Sequence, residues 1–216
     1  MKGEKSMTRR KRLILWIALV LLSAATVQAG PSGDARLILG QKSLTDDVLD
    51  DAGVDGQTEW GVAVTLDFDW PVALTFDLMS SSEDSTVAFG TSFPLAYQTD
   101  VDTMELGIGV RKYWGDTWKP FAGGGLAFVD LDARQTVSGS LGPGAEFTDT
   151  LLDDSDSGLG FWAGGGVLYQ INDRFSVGVD VRYTDADVSL SAAQVPGNVD
   201  IDSGGIHYAA SFGYHW

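Results

Sequence analysis

The fold this sequence predicts is all-β: an eight-stranded antiparallel up-and-down transmembrane β-barrel. Three observations lead there. Apolar residues alternate with small or polar ones through most of the chain, and strand side chains point alternately to opposite faces. Past residue 29 no apolar run reaches the ~20 residues that a membrane-spanning helix needs. Connections between strand candidates alternate between short turns and long stretches rich in Asp, Ser and Gly, the rhythm of a membrane barrel.

The strands follow in order. The first is predicted at 34–43, with Arg36, Leu37, Ile38 and Leu39. The second, 59–68, sets Trp60, Val62, Val64, Leu66 and Phe68 against Gly61, Ala63, Thr65 and Asp67. The third, 71–80, sets Phe76 and Leu78 against Thr75, Asp77 and Met79. The fourth, 101–113, sets Met104, Leu106, Ile108 and Val110 against Glu105, Gly107, Gly109 and Arg111. The fifth, 119–132, and sixth, 158–171, contain Gly123-Gly124-Gly125 and Gly164-Gly165-Gly166, which blur the parity and signal close packing or bends. The seventh, 175–185, sets Phe175, Val177, Val179, Val181 and Tyr183 against Ser176, Gly178, Asp180, Arg182 and Thr184. The eighth carries Tyr208, Phe212, Tyr214 and Trp216 on one face, with His207, Ser211 and His215 on the other.

Short turns are predicted at Asp69-Trp70, 114–118 and 172–174. The long connections, 44–58, 81–100, 133–157 and 186–205, are read as loops. Trp70, Trp114, Trp118, Phe121, Phe175 and Trp216 gather at the short-turn end. Trp60, Tyr97, Trp162 and Tyr183 gather at the other, so the aromatics form two interfacial girdles.

Residues 1–29 read as a cleaved signal peptide: a basic start (Lys2, Lys5, Arg9–Arg12), an apolar stretch 13–22, and small residues up to Ala29. The barrel domain is then 30–216. The whole chain has 14 Lys/Arg against 30 Asp/Glu; six of those cations and one acid lie in 1–29, so the domain carries a net charge of −21. Such acidity leaves no basic patch for nucleic acid. Cysteine is absent, so neither disulfides nor thiolate chemistry contribute.

Four segments carry a family resemblance: Glu105-Leu-Gly-Ile-Gly-Val-Arg-Lys-Tyr113, Lys119-Pro-Phe-Ala-Gly-Gly-Gly-Leu-Ala-Phe128, Phe175-Ser-Val-Gly-Val-Asp-Val-Arg-Tyr183 and the last strand. The chain resembles the small eight-stranded outer-membrane proteins of the OmpA, OmpX and OmpW type. This likeness implies the cell outer membrane, short periplasmic turns, long extracellular loops, and contact with outer-membrane lipid and lipopolysaccharide. It also implies that Tyr208, Phe212, Tyr214 and Trp216 form the signal read by the barrel-assembly machinery. The family usually ends on Phe, where this chain has Trp216.

The inward parity gathers Asp67, Asp77, Glu105, Arg111, Asp180 and Arg182. The lumen of an eight-stranded barrel is about filled by its own side chains, so these groups are expected to pair as a structural plug rather than line a conduit. His207 and Ser211 suggest a hydrolase, but four residues separate them by roughly 13 Å along a strand, too far for a hydrogen bond. No enzyme activity and no cofactor is therefore expected. The acidic loops offer weak cation-binding candidates, Asp46, Asp47, Asp50, Asp51, Asp153, Asp154 and Asp156, although none completes a calcium-loop pattern. The expected role is a monomeric structural or surface-interaction protein. The alternatives are a narrow channel for small or hydrophobic solutes, as the OmpW-type resemblance allows, and a lipid-modifying enzyme.

Overall fold

The computed structural model describes residues 31–44, 56–89, 95–140, 142, 145–191 and 198–216, with backbone alone for 89, 189–191 and 198–202. The predicted signal segment lies outside the described residues, as do Asp46, Asp47, Asp50 and Asp51. The described residues form ten strands: β1 (Ser32–Leu44), β2 (Gly56–Asp67), β3 (Ala73–Phe89), β4 (Leu95–Tyr113), β5 (Trp118–Ser140), β6 (Glu146–Gln170), β7 (Phe175–Asp185), β8 (Asp187–Ser191), β9 (Asn198–Asp202) and β10 (Gly205–His215). Eight of them close in the order β1-β10-β7-β6-β5-β4-β3-β2, while β8 and β9 pair as a separate hairpin. All pairings are antiparallel. Closure leaves the barrel no unpaired edge within the bilayer, where an unsatisfied backbone group costs several kcal/mol.

The turns that end one side are built by short polar residues. Asp69 adopts a positive φ of 61° and donates its N–H to Asp67 Oδ1 at 2.9 Å. Gly115, at φ 81°, supplies the left-handed residue of the second turn. Asn172 Oδ1 accepts from the N–H groups of Arg174 (2.9 Å) and Phe175 (3.0 Å). The predicted turn at 69–70 is longer, since β3 begins at Ala73.

At the other end the loop expectation is corrected. β3, β4, β5 and β6 run 17, 19, 23 and 25 residues, whereas β1, β2, β7 and β10 run only 11 to 13. Most of 81–100 and 133–157 is therefore strand, and Asp153, Asp154 and Asp156 sit within β6 rather than a loop. Beyond the shorter strands these four form a projecting wall; β5 alone continues from Ala133 to Ser140, roughly 25 Å at the usual strand rise. A single bulge interrupts it, where Gln135 pairs with Leu152 but Thr136 pairs with Thr150. The extra residue, Leu151, reverses the parity of β6 above that point.

Polarity changes sign along the barrel axis. Over the lower two-thirds, apolar side chains face outward: Leu39 is 57 % exposed, Leu126 54 %, Leu159 62 % and Val179 61 %. On β5 this outward row runs Trp118, Pro120, Ala122, Gly124, Leu126, Phe128, about the span expected of a tilted transmembrane strand. Above it the same row continues as Asp130 and Asp132, while the inward row becomes apolar. Leu44, Val101, Leu131, Ala133 and Val188 form a buried cluster there, with Leu152 against it.

Aromatic pairs mark both edges of the band: Trp118–Tyr169 (4.8 Å), Phe175–Tyr214 (5.6 Å) and Phe68–Trp70 (5.3 Å) at the turn end, Phe161–Tyr183 (6.5 Å) at the other. Three predicted girdle members are corrected. Trp162 and Phe121 point inward and are buried, and Tyr97 stands far up on the wall. Trp162 fits inside because Gly107 and Gly109, two strands away on β4, carry no side chain: a Cβ at either would stand 2.8 to 3.2 Å from the indole.

Candidate functional site

The inward parity of each strand builds one polar column. β1 contributes Asp34, Arg36 and Lys42; β2 contributes Gln57, Glu59 and Thr65; β3 Thr75 and Asp77; β4 Thr103, Glu105 and Arg111. β7 adds Asp180, Arg182 and Thr184, and β10 adds His207 and Ser211. Nearly all of these are buried.

At the turn end Arg36 is the hub. Its Nε lies 3.0 Å from Asp34 Oδ1 and its Nη1 3.2 Å from Asp180 Oδ1. Ser211 donates to Asp180 Oδ2 at 2.7 Å, and the guanidinium covers the Phe121 ring at 5.2 Å. In the middle, Asp77 Oδ2 takes Arg111 at 2.9 Å and Arg182 at 3.5 Å. Thr75 donates to its other oxygen at 3.1 Å. Trp162 stacks between the two arginines, 5.5 Å from Arg111 and 4.8 Å from Arg182. Cation–π contact in such a dry place adds of order 1–2 kcal/mol each.

Higher still, Glu105 is contacted from four directions. Arg182 Nη2 pairs with it directly, Thr184 donates at 2.8 Å, His207 Nε2 stands at 3.6 Å and Lys42 Nζ at 3.8 Å. The other His207 nitrogen contacts Glu59 at 2.5 Å. Lys42 also donates to the Ser203 carbonyl at 2.7 Å, tying the column to the chain beside the β8–β9 hairpin. In this column the carboxylates of Asp34, Glu59, Asp77, Glu105 and Asp180 meet the permanent cations Arg36, Lys42, Arg111 and Arg182, with His207 between two of the acids. Near-neutral pairing is what lets so many ionisable groups stay out of water.

Five of the six residues expected in the interior network are in it: Asp77, Glu105, Arg111, Asp180 and Arg182. Asp67 is not. Its parity is inward, but it stands at the turn end, exposed, and caps Asp69. Sequence reasoning missed Arg36, Lys42 and Glu59, the first two of which share the parity Asp34-Arg36-Ile38-Gly40-Lys42. Extending the face of Gly61 and Ala63 back by one step reaches Glu59.

The lumen is closed at mid-height. The cavity enclosed by Glu59, Arg111, Trp162, Arg182 and His207 measures about 20 Å³, room for about one water molecule. Above it sits the apolar cluster around Leu131. Below, a mouth of about 330 Å³ opens at the turn end, bordered by Asp34, Tyr113, Lys119, His215 and Trp216. Ser211 is engaged by Asp180 and His207 by Glu59, so this pair forms no nucleophile–base couple. Among the described residues no group of three or more His, Asp or Glu is placed to hold a metal ion. Asp153 is paired with Arg134 at 3.1 Å on the exposed surface.

A model of the outer membrane protein beta-barrel domain matches residues 14–215. The chain belongs to this family. No curated protein matches it in sequence. Among solved structures it is similar to outer membrane protein OprG from Pseudomonas aeruginosa. The two share 15 % identity over 88 % of this chain and 99 % of that one, with a TM-score of 0.52. It is also similar to Ail, the attachment invasion locus protein of Yersinia pestis, solved with the heparin analogue sucrose octasulfate. There the identity is 9 % over 87 % and 99 % of the chains, with a TM-score of 0.50. At these identities the likeness is one of fold: an outer-membrane barrel.

Tyr208, Phe212 and Tyr214 face outward. Trp216 is half-buried: it exchanges backbone hydrogen bonds with Gly33 (Trp216 N–H to Gly33 O, 3.1 Å; Gly33 N–H to Trp216 O, 3.3 Å), and its ring lies against Gly33. A chain truncated before Trp216 should lose these contacts, about 1–3 kcal/mol of seam stability. Its heat-modifiable folded fraction on gels should drop several-fold; an undiminished fraction would show that the seam does not depend on this residue.

Proposed function

We propose that the protein is a non-enzymatic structural and surface-interaction component of the outer membrane. The barrel serves as a closed anchor, and the wall of β3–β6 is the part that meets partners outside the cell. The observation that carries this reading is the blocked cross-section at Asp77, Arg111, Trp162 and Arg182. With the lumen filled by paired charges and capped by Leu44, Val101 and Leu131, a solute path would require breaking several buried ion pairs, at about 3–5 kcal/mol each. The polar strands that rise above the membrane band are then the chain's principal contact surface.

Lipid and lipopolysaccharide are the expected neighbours of the outward apolar row and of the girdles above and below it. The barrel-assembly machinery is the expected partner of the terminal strand during insertion. Divalent cations at the acidic outer surface are a further expected partner, of millimolar affinity. Planar-bilayer recording on the purified protein tests the central claim. The expected trace stays at baseline across both polarities; a reproducible open level would replace the anchor reading with the narrow-channel one.

A further inference from the structure

Within the surface-interaction reading, on which this step rests, the geometry points to one face of the wall as a docking surface for a cationic amphipathic protein segment. Cross-strand register lines up two rows above the capping cluster. In one, Val87 on β3 faces Tyr97 on β4, which faces Val137 on β5. In the next, Leu95 on β4 faces Gly139 on β5, which faces Phe147 on β6. Both rows continue the inward parity of the buried Val101 and Ala133, so they lie on the side of the wall that looks over the barrel mouth.

Phe147 reaches this side only because of the bulge at Leu151. Without the extra residue its parity would put it on the outer face. Leu95 and Phe147 converge over Gly139, where an added Cβ would stand 2.7 to 2.9 Å from both side chains. The result is a continuous apolar strip on a polar projection. Val87 is 42 % exposed and Phe147 39 %, with Leu95, Tyr97 and Val137 half-buried beside them. Nothing in the lipid band requires it, since it stands well above Phe128 and Leu159.

Charge selects the partner. Glu83 shares the strip's face, as does Asp149, which pairs with Val137. Asp84, Asp100, Glu146 and Asp153 stand elsewhere on the same strands. Among the described residues of the wall, the only Lys or Arg is Arg134. It sits on the opposite face and is paired with Asp153. A polyanion would be repelled. A segment with apolar residues on one face and lysines or arginines around them would bury its apolar side on the strip and meet carboxylates at its margins. Such complementarity raises association rate and orients the partner, while the apolar contact supplies affinity.

The test uses the full protein in lipid nanodiscs and three synthetic probes of equal length: one of alternating Lys and Leu, one of Lys and Ser, one of Glu and Leu. The Lys/Leu probe should bind, weaken with salt, and exceed each of the others by at least about tenfold in affinity. The double variant Val87→Ser/Phe147→Ser should lose about tenfold for Lys/Leu while keeping its residual affinity for Lys/Ser. Glu83→Gln/Asp149→Asn should lose salt dependence. Val87, Phe147 and Asp149 are exposed and Glu83 is half-buried, and retained heat-modifiable mobility checks the folding of both variants. Equal binding by wild type and the Ser double variant overturns the apolar strip as the site, and equal affinity for Lys/Leu and Glu/Leu overturns the charge selection. Either failure with a silent bilayer recording removes the docking surface and leaves the closed-anchor reading standing.

Discussion

Replacing Glu105 by alanine should lower the unfolding free energy by about 3–5 kcal/mol, the usual result of removing one partner from a buried charge group. The carboxylate touches Arg182, Thr184, Lys42 and His207 at once. Without it Lys42 keeps the Ser203 carbonyl, and Arg182 keeps the longer 3.5 Å contact to Asp77. The loss should appear as a lower urea midpoint for the protein folded in vesicles and as a lower temperature of the gel-mobility shift. Glu105→Gln separates charge from hydrogen bonding: it can still accept from Thr184 and should lose less than the alanine. An alanine variant as stable as the wild type would mean that the column does not support the barrel.

Val179→Arg carries the second large effect, and it tests where the outer face lies. Val179 is 61 % exposed, between Val167 on β6 and Ala210 on β10. On a water-soluble barrel, arginine at so open a site would change stability by only about 0.5 kcal/mol. Facing hydrocarbon near the middle of the band it should cost about 2–4 kcal/mol. Arg134, on the wall, provides the internal comparison: Arg134→Ala should stay within about 1 kcal/mol, as for exposed ion pairs. If Val179→Arg and Arg134→Ala were equally mild, the apolar band would not be facing lipid.

Strand number, order and closure were legible because lipid imposes a strong contrast between faces. Wherever that contrast acts, the row of Leu37 and Leu39 or of Val177, Val179 and Val181 can be read directly. It fails above the membrane. There both faces meet water or protein, so the apolar Val87, Tyr97, Val137 and Phe147 line up only across strands, and the single segments, with Thr86, Gln98, Thr136 and Thr148 among their residues, pass for loop. The same segments are rich in Asp and Ser, which reinforces the loop reading.

The interior was partly legible for a related reason. Parity finds Asp77, Glu105 and Arg182 but carries no height, so Asp67 was drawn into the column although it stands at its mouth. Aromatics invite the opposite error. Trp162 shares its parity with Gly160 and Gly164, and the glycines two strands away on β4 leave room for it. An aromatic near a strand end is easily counted as girdle, however, unless those β4 glycines are weighed with it. Phe121 was misplaced in the same way, since its place under Arg36 and Arg111 depends on strands far apart in sequence.

The reversal between Phe128 and Asp130 takes only two residues, roughly 7 Å of strand. Neighbouring strands repeat it between Met104 and Asp102 and between Leu159 and Ser157. This is a waterline written into the wall of the molecule. If the barrel rode higher, Phe128 and Leu159 would surface; if it sank, Asp130 and Asp132 would be dragged into oil. Both displacements are steep in energy, so the barrel has a fixed draught without any outside mooring. The height at which its longest strands stand clear of the membrane is then a constant of the sequence.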